Sequence, residues 1–211
     1  MLTVYLMRHG QSQANVERIF ANGDDGYPLT EEGRAQAALA AELLALKNIK
    51  RIYTSPILRA KQSAAIVEKR LGIEPVVLDE IREFSVGELE GQFISGEAES
   101  AFMRLMIQWI SGNSSDKIPN GESHLEIMAR MKKAIDIIAS ENHTGEVLLV
   151  SHGGFLTMTL PFICSGIDIR EFFSRPSYGI GNCSITTVRV SNGAQSPSIE
   201  LVEWANSSHL E

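Results

Sequence analysis

Short runs rich in valine, isoleucine and leucine alternate with longer segments of helical periodicity along most of the chain. The strand-like runs are 3–7, 49–55, 75–78 and 146–150. Each interval between them holds a helical pattern long enough for a crossover, so the strands are expected to be parallel. Two later runs, 182–190 and 198–204, predict a hairpin with its turn near 191–198. The predicted fold class is a three-layer α/β/α fold with a mostly parallel central sheet and one late antiparallel strand.

The alternation is interrupted in one place, between about residues 88 and 118. A single amphipathic helix lies there, and it predicts a small helical cap insertion over one edge of the sheet. The length of 211 residues and the lack of a linker or repeat predict one domain, 1–211. Its polar end, 206–211, is expected to be a flexible tail.

Composition narrows the class of partner. The net charge of -7 disfavours nucleic acid and anionic membranes as main partners, while leaving room for a local basic pocket. No apolar run approaches the roughly 20 residues that span a bilayer, and the first residues do not resemble a signal peptide. Cys164 and Cys183 predict buried free thiols and a cytoplasmic location. The oligomeric state is not predicted; a homodimer is compatible with the sequence.

Two strand-like runs end in a histidine that is followed by glycine. The first run ends in Arg8-His9-Gly10, and a later one ends in His152-Gly153. Carboxyl ends of parallel strands meet at one edge of a sheet, where open α/β folds bind ligands, so we expect the two histidines to lie together. Glycine after the histidine permits a close approach of the backbone to a ligand.

A histidine flanked by arginines is suited to attack on phosphorus. Its neutral ring supplies a lone pair, while guanidinium groups bind phosphoryl oxygens through forked N–H donors. Arg59 lies in the first turns of the helix after the second strand, where the helix N-terminus favours an anion. The alternative interpretation is that Arg59 is a solvated residue on the helix surface. Asn15 is suited to cap a helix or turn, and its amide N–H can also donate to a phosphoryl oxygen.

A cluster of carboxylates follows the third strand and offers candidates for a general acid. They are Asp79, Glu80, Glu83, Glu88 and Glu90. One of them, placed in the crevice with a raised pKa, would protonate a leaving alcohol, but composition does not choose among them. Further along the chain, Glu122 is expected to interact with the dipole at a helix N-terminus. His124 is expected to be a partly exposed helix residue, and His143 a loop residue.

These motifs together resemble the histidine phosphatase superfamily, also called the phosphoglycerate mutase-like family. The resemblance begins at "LMRHGQSQAN" and continues in order through "YPLTEEGRAQA", "YTSPILRAKQSA", "IREFSVGELEG", "PNGES", "VLLVSHGG" and "NCSITTV". It covers nearly the whole chain. It implies phosphoryl transfer through a phosphohistidine, without a metal or another cofactor.

The resemblance also implies a role for each matching residue. His9 would be the nucleophile, and Glu83 would protonate the leaving oxygen and then activate water. Arg8, Arg59 and His152 would bind the phosphoryl group and stabilise its charge in the transition state. Asn15 and the backbone around Gly153 would add hydrogen bonds.

Relatives of this kind include both phosphatases and bisphosphoglycerate-dependent mutases. The resemblance implies extra basic residues in the insertion of the mutases, whereas here the region 93–123 has only Arg104 and Lys117 as cations. It also holds the apolar residues Phe93, Phe102, Met103, Met106 and Trp109, most of which are expected to pack the cap onto the domain. We therefore predict a phosphomonoester hydrolase acting on a small phosphorylated metabolite.

Several alternatives stay open at this point. The chain could be a mutase, a non-catalytic binding module on the same fold, or a metal-dependent hydrolase that uses His9 and His152. Asn22 and Tyr27, in a loop expected beside the site, are candidate substrate contacts. The substrate itself is not predicted beyond a phosphomonoester.

Overall fold

The computed structural model describes residues 1–23, 26–191 and 197–211. Within them, six strands form a single sheet in the order β3-β2-β4-β1-β5-β6. The strands are β1 (Leu2–Arg8), β2 (Ile49–Thr54), β3 (Pro75–Val77), β4 (Gly145–Ser151), β5 (Ile185–Ser191) and β6 (Ser198–Asn206). The turn predicted near 191–198 lies largely outside the described residues.

The directions of the strands confirm the predicted sheet. β1 to β4 are mutually parallel, and β5 is antiparallel to both of its neighbours, β1 and β6. In the β1–β4 pair, Arg8 lies opposite Ser151, so these two strands end at the same level. The residues that follow, His9 and His152, therefore leave the sheet side by side.

Seven α-helices accompany the strands within the described residues. They are α1 (Gln13–Glu17), α2 (Glu31–Leu44), α3 (Leu58–Leu71), α4 (Gly96–Ile110), α5 (His124–Glu141), α6 (Gly153–Ile163) and α7 (Ile169–Ser174). Local signals set several ends: the Thr30 side chain accepts the Gly33 N–H at the start of α2, and Gly72 ends α3 with a φ of 72°. α3 begins after an Ile57 N-cap rather than at Pro56.

Alternate residues of β1 face two separate cores. Val4 and Leu6 pack with residues of α4, α5 and α6, whereas Tyr5 and Met7 pack with residues of α2 and α3. This period of two places helices on both faces of the sheet, which confirms the three-layer architecture. No helix in the described ranges is long and apolar enough to cross a membrane.

The chain end differs from the flexible tail expected at 206–211. Ser208–Leu210 form a 3₁₀ turn, and a ring nitrogen of His209 lies 3.1 Å from the carbonyl oxygen of Cys183. Leu210 packs against the core that contains α2 and α3. A partly buried apolar side chain and one hydrogen bond therefore dock this segment, which its polar composition did not indicate. Cys183 and Cys164 are both buried free thiols.

Candidate active site

The residues that follow β1 and β4 build the centre of the site. The His9 N–H donates to the carbonyl oxygen of Ser151 at 2.9 Å, which ties the two strand ends together. The rings of His9 and His152 lie with their centroids 5.2 Å apart. The structure thus brings together the two histidines that the motifs placed at one sheet edge.

Hydrogen bonds select one tautomer of His9. Its Nδ1 lies 2.7 Å from the carbonyl oxygen of Gly10, which can only accept, so Nδ1 carries the hydrogen. Nε2 then holds a lone pair, and it accepts the Nε–H of Arg59 at 3.0 Å. Burial, with the charges of Arg59 and Arg8, holds the pKa of His9 well below its ordinary value. The ring is therefore neutral, with its reactive nitrogen directed at a guanidinium.

Two arginines surround that nitrogen with donors. Arg8 Nη1 donates to the carbonyl oxygen of Ile180 at 2.7 Å, which fixes the side chain. Arg8 Nε and Arg59 Nη1 are buried and donate to no group among the described residues. Burial of both guanidinium groups lowers their pKa from the ordinary value. Buried unpaired cationic donors beside a lone pair are suited to an anion with several oxygens.

His152 lies behind His9 and is fully buried. Its Nε2 lies 2.7 Å from the Ser55 hydroxyl oxygen, and its Nδ1 has no hydrogen-bond partner in the described residues. Burial, with the charge of Arg59, holds the pKa of His152 well below its ordinary value. The ring is not part of the cavity lining, but the following residue, Gly153, is.

The paired glycines after His152 let two charged groups approach the start of α6. A Cβ on Gly153 would lie 3.0 Å from Arg8 Nε, and a Cβ on Gly154 would lie 2.9 Å from Glu83 Oε1. Side chains at either position would displace the guanidinium or the carboxylate. Gly154 therefore has as little room for a side chain as Gly153, although the motifs did not indicate a role for it.

Glu83 is held by backbone N–H groups. Oε1 accepts from Phe155 at 2.6 Å and from Phe84 at 3.1 Å, and Oε2 accepts from Gly154 at 3.0 Å. Burial raises the pKa of Glu83 even though Arg59 and these hydrogen bonds act in the opposite direction. A carboxyl group with a raised pKa that lines the cavity beside His9 is suited to proton transfer.

The structure distinguishes among the five carboxylates that follow β3. Asp79 pairs with Arg82 at 3.4 Å, and Glu80 pairs with Lys133 at 2.6 Å. Glu90 accepts the backbone N–H groups of Asn22 and Gly23. Of the five, Glu83 is the one that lines the cavity.

The amide of Asn15 is oriented by a residue that the sequence analysis missed. Asn182 Nδ2 donates to the Asn15 Oδ1 and to the His9 carbonyl oxygen, both at 3.1 Å. Asn15 Oδ1 also accepts the Ser12 N–H at 3.1 Å, so the opposite end of the amide, its NH₂ group, is left for the cavity that Asn15 lines. Asn182 lies in the quoted motif "NCSITTV", which was the available signal.

Asn22 lines the same cavity but uses its side chain within the protein. Its Nδ2 donates to the carbonyl oxygen of Phe84 at 2.6 Å. It therefore connects its loop to the segment that carries Glu83. Tyr27, the other candidate in that loop, is not part of the lining.

The cavity beside His9 has a volume of about 340 Å³ and two chemically distinct ends. Arg8, Arg59 and Glu83 form the polar end. The remaining walls are largely apolar and include Ile19, Phe20, Ile94, Phe102, Met103, Met106, Ile110, Met158, Phe173 and Ile180. Arg8 and Arg59 are the cationic side chains of the lining.

Helix α4, in the region where a cap was predicted, contributes to both the cavity and the core. Phe102, Met103 and Met106 line the cavity, whereas Trp109 is fully buried and donates its Nε1–H to the Asp116 carbonyl oxygen at 2.7 Å. Phe93 is exposed instead. The two cap cations, Arg104 and Lys117, are not part of the lining.

The remaining candidates have structural surroundings. His124, expected to be partly exposed, is buried, and it stacks on Trp109 with ring centroids 5.4 Å apart. Its Nε2 lies 2.8 Å from the carbonyl oxygen of Met158. Over the ranges that the structure describes, no group of three or more histidines, cysteines or carboxylates is arranged to hold a metal ion.

A family model described as histidine phosphatase superfamily (branch 1) matches residues 4–205. A probable phosphoglycerate mutase GpmB from Cronobacter sakazakii is 33% identical over 100% of this chain and 96% of its own length. A putative phosphoserine phosphatase 2 from Hydrogenobacter thermophilus is 31% identical over 90% of each chain.

The solved structures give the same result for the fold. Bacillus stearothermophilus YhfR matches with a TM-score of 0.81 and 26% identity, covering 100% of both chains. The names of the similar proteins include both mutases and phosphatases, so the direction of phosphoryl transfer has to be argued from the site itself.

Proposed function

The chain belongs to branch 1 of the histidine phosphatase superfamily, and on that premise we propose that it is a phosphomonoester hydrolase that works through a phosphohistidine at His9. The observation that carries the proposal is the arrangement around His9 Nε2. Its lone pair lies beside buried guanidinium donors that have no other partner in the described residues. These are the groups that an attack on phosphorus needs.

In the first step, Nε2 of His9 attacks the phosphorus atom and the bond from phosphorus to the ester oxygen breaks. Arg8 and Arg59 donate to the phosphoryl oxygens and stabilise their charge in the transition state. The protonated carboxyl group of Glu83 gives its proton to the leaving oxygen, so the product departs as a neutral alcohol. We propose that His152 donates its Nδ1–H, Asn15 its amide N–H and Gly153 its backbone N–H to the same oxygens.

In the second step, water attacks the phosphorus atom of the phosphohistidine. The carboxylate of Glu83 accepts a proton from that water, the bond from phosphorus to Nε2 breaks, and inorganic phosphate leaves. Glu83 is thereby protonated again and His9 recovers its lone pair. The hydrogen bond from Nδ1 to the Gly10 carbonyl supports the ring orientation through both steps.

The walls of the cavity favour hydrolysis over mutase activity. A bisphosphorylated intermediate needs cations for a second phosphate, but the cationic side chains of the lining are Arg8 and Arg59, both at the His9 end. The apolar remainder suits a monophosphate with an uncharged, largely apolar body. We accordingly propose a small phosphomonoester of that type as the substrate.

The substrate class and the acidic net charge of -7 support a small molecule rather than nucleic acid as partner. The two buried free thiols support a reducing compartment, and we propose the cytoplasm.

A phosphate-release screen tests the proposed function. We expect turnover of monophosphates with apolar bodies and acid-labile phosphate on the wild-type protein after rapid quenching. His9→Ala should lose at least about 1000-fold in kcat, as expected when a nucleophile is removed. His143→Ala, in an exposed loop, is the matched histidine control and should retain activity. Near-normal turnover by His9→Ala would refute the nucleophile, and bisphosphoglycerate-dependent mutase turnover comparable with phosphate release would refute the hydrolase.

A further inference from the structure

We propose that Glu122 and Arg130 form a partly buried clamp that positions Glu83 for proton transfer. The inference rests on the proposed function, because it assigns positioning residues to the same general acid. Neither residue lines the cavity, so neither touches the substrate. Their effect would pass through the backbone on both sides of Glu83.

Glu83 needs such support because its segment is irregular. It lies between the 3₁₀ turns Asp79–Ile81 and Gly87–Leu89, and not within a helix or strand. Regular hydrogen bonding therefore does not fix the direction of its side chain. The placement of the carboxyl group depends on what holds the neighbouring backbone.

The clamp itself is a two-bond ion pair with little exposure to solvent. Arg130 Nε donates to Glu122 Oε1 at 2.7 Å, and Nη2 donates to Oε2 at 3.0 Å. The side chains are 15% and 16% exposed, respectively. An unpaired charge with so little contact with solvent is costly, so each residue requires the other.

The clamp bonds the backbone before and after Glu83. Arg130 Nη1 donates to the carbonyl oxygens of Glu80 at 2.8 Å and Arg82 at 3.1 Å. Glu122 Oε2 accepts the Ser85 N–H at 2.8 Å, and the Glu122 N–H donates to the Ser85 carbonyl oxygen at 2.9 Å. One ion pair on and beside α5 thus fixes the residues on either side of the acid.

The same clamp also contacts a partner of the carboxylate. The guanidinium of Arg130 lies 4.7 Å from the centre of the Phe155 ring. The Phe155 N–H donates to Glu83 Oε1. Arg130 therefore packs against both the segment that carries the acid and the helix start that orients it.

The test compares two substrates that differ in their need for an acid. Benzyl phosphate releases an alkoxide that needs a proton, whereas 4-nitrophenyl phosphate releases a stable phenolate. For Arg130→Lys, which cannot make the forked contacts, we expect kcat/KM for benzyl phosphate to fall about 30-fold or more and that for 4-nitrophenyl phosphate to fall less than about 5-fold. Inhibition by vanadate should be unchanged, because the arginines around His9 are untouched.

Glu122→Gln provides a second variant of nearly the same shape, in case Arg130→Lys does not fold. It should show the same dependence on the leaving group. The matched control is Lys133→Met, which removes another cation of α5 that bonds the Glu80 side chain and not the backbone around Glu83. It should behave as wild type with both substrates.

Glu83→Gln separates the two proposals. If it loses activity selectively on benzyl phosphate while both clamp variants match the wild type, the clamp is wrong and the proposed function stands. If Glu83→Gln shows no selective loss, the acid itself is wrongly assigned. The proposal would be refuted if the clamp variants lost kcat/KM equally on both substrates or were inhibited less strongly by vanadate. Either result would mean that Glu122 and Arg130 only support the structure.

Discussion

At the scale of single residues, the hydrogen-bond partners of the two site histidines decide which ring nitrogen is available. The Gly10 carbonyl leaves His9 Nε2 with a lone pair. Ser55 acts differently on His152, because a hydroxyl can donate to Nε2 while it accepts the N–H of Ile57 at 3.2 Å. In that arrangement Nδ1 of His152 carries the hydrogen, as a phosphoryl donor requires. The two tautomers fit the proposed roles, in which His9 attacks phosphorus and His152 binds a phosphoryl oxygen.

Ser55→Ala should therefore weaken phosphate binding without touching the nucleophile. Loss of the hydroxyl removes the donor to Nε2 and leaves the tautomer of His152 unselected. We expect vanadate inhibition to weaken about 10-fold, which corresponds to one hydrogen bond to a charged group. Thr54→Val is the matched control, since Thr54 is a neighbouring buried hydroxyl that bonds a backbone carbonyl. Equal vanadate inhibition in Ser55→Ala and wild type would contradict this role.

At the scale of elements, two glycines allow α2 to cross the loop that follows His9. A Cβ on Gly33, in the first turn of α2, would overlap the carbonyl oxygen of Gln11 and lie 2.7 Å from its nitrogen. A Cβ on Gly10 would overlap the Gly33 carbonyl oxygen in the same way. The start of α2 is thus in direct contact with the loop that follows His9.

Gly33→Ala should destabilise the protein, although alanine is usually the better helix residue by about 1 kcal/mol. The added methyl has to displace backbone atoms, and overpacking of that kind costs about 2–3 kcal/mol. Because this cost exceeds the gain in helix propensity, the free energy of unfolding measured by urea denaturation should be lower for Gly33→Ala than for wild type. Gly26→Ala, where a Cβ meets nothing within 4 Å, should change it little. An unchanged or higher unfolding free energy for Gly33→Ala would disprove the close crossing.

The strands and the long helices were predictable from the sequence, and the two shortest α-helices were not. The strand-like runs and the helical patterns matched the observed elements because burial on one or two faces imposes a period on many residues. The five residues of α1 and six of α7 are too few to show a period. Asn182 was missed for another reason: it bonds the His9 carbonyl from 173 positions away, and the strand-like run in which it was placed gave no sign of that contact.

The choice among the five carboxylates shows the same limit. Their order in the sequence does not say which one faces the start of α6. Glu83 was singled out by the resemblance of its motif, and the structure supplies the physical reason in the N–H groups of Gly154 and Phe155. A site assembled from several strand ends depends on register, which local sequence does not encode.

At the scale of the whole molecule, the site makes stability depend on pH. His9 and His152 are 2% and 0% exposed, and the pKa of each is well below its ordinary value. Below about pH 6.5 the unfolded chain binds protons that the native protein does not, so unfolding becomes easier as the pH falls. The raised pKa of Glu83 acts in the opposite direction, because there the native state binds its proton first.

Urea denaturation at two pH values checks this dependence. Between about pH 6.5 and 5.5 each buried histidine should lower the free energy of unfolding by about 1 kcal/mol. His152→Gln should show a smaller decrease than wild type over the same interval. A decrease in His152→Gln as large as that in wild type would contradict the lowered pKa of His152.

The strand order has a consequence for how the molecule forms. β1 lies between β4 and β5, so its first neighbour begins at Gly145 and its second at Ile185. During synthesis β1 emerges before both of its neighbours, so the sheet around His9 cannot close until β5 has emerged. Pairing between strands so distant in sequence slows folding. The entropy lost in closing the long loop between them is not offset until the strands make contact. The strand that leads to His9 therefore waits for two partners that are synthesised much later, first β4 and then β5.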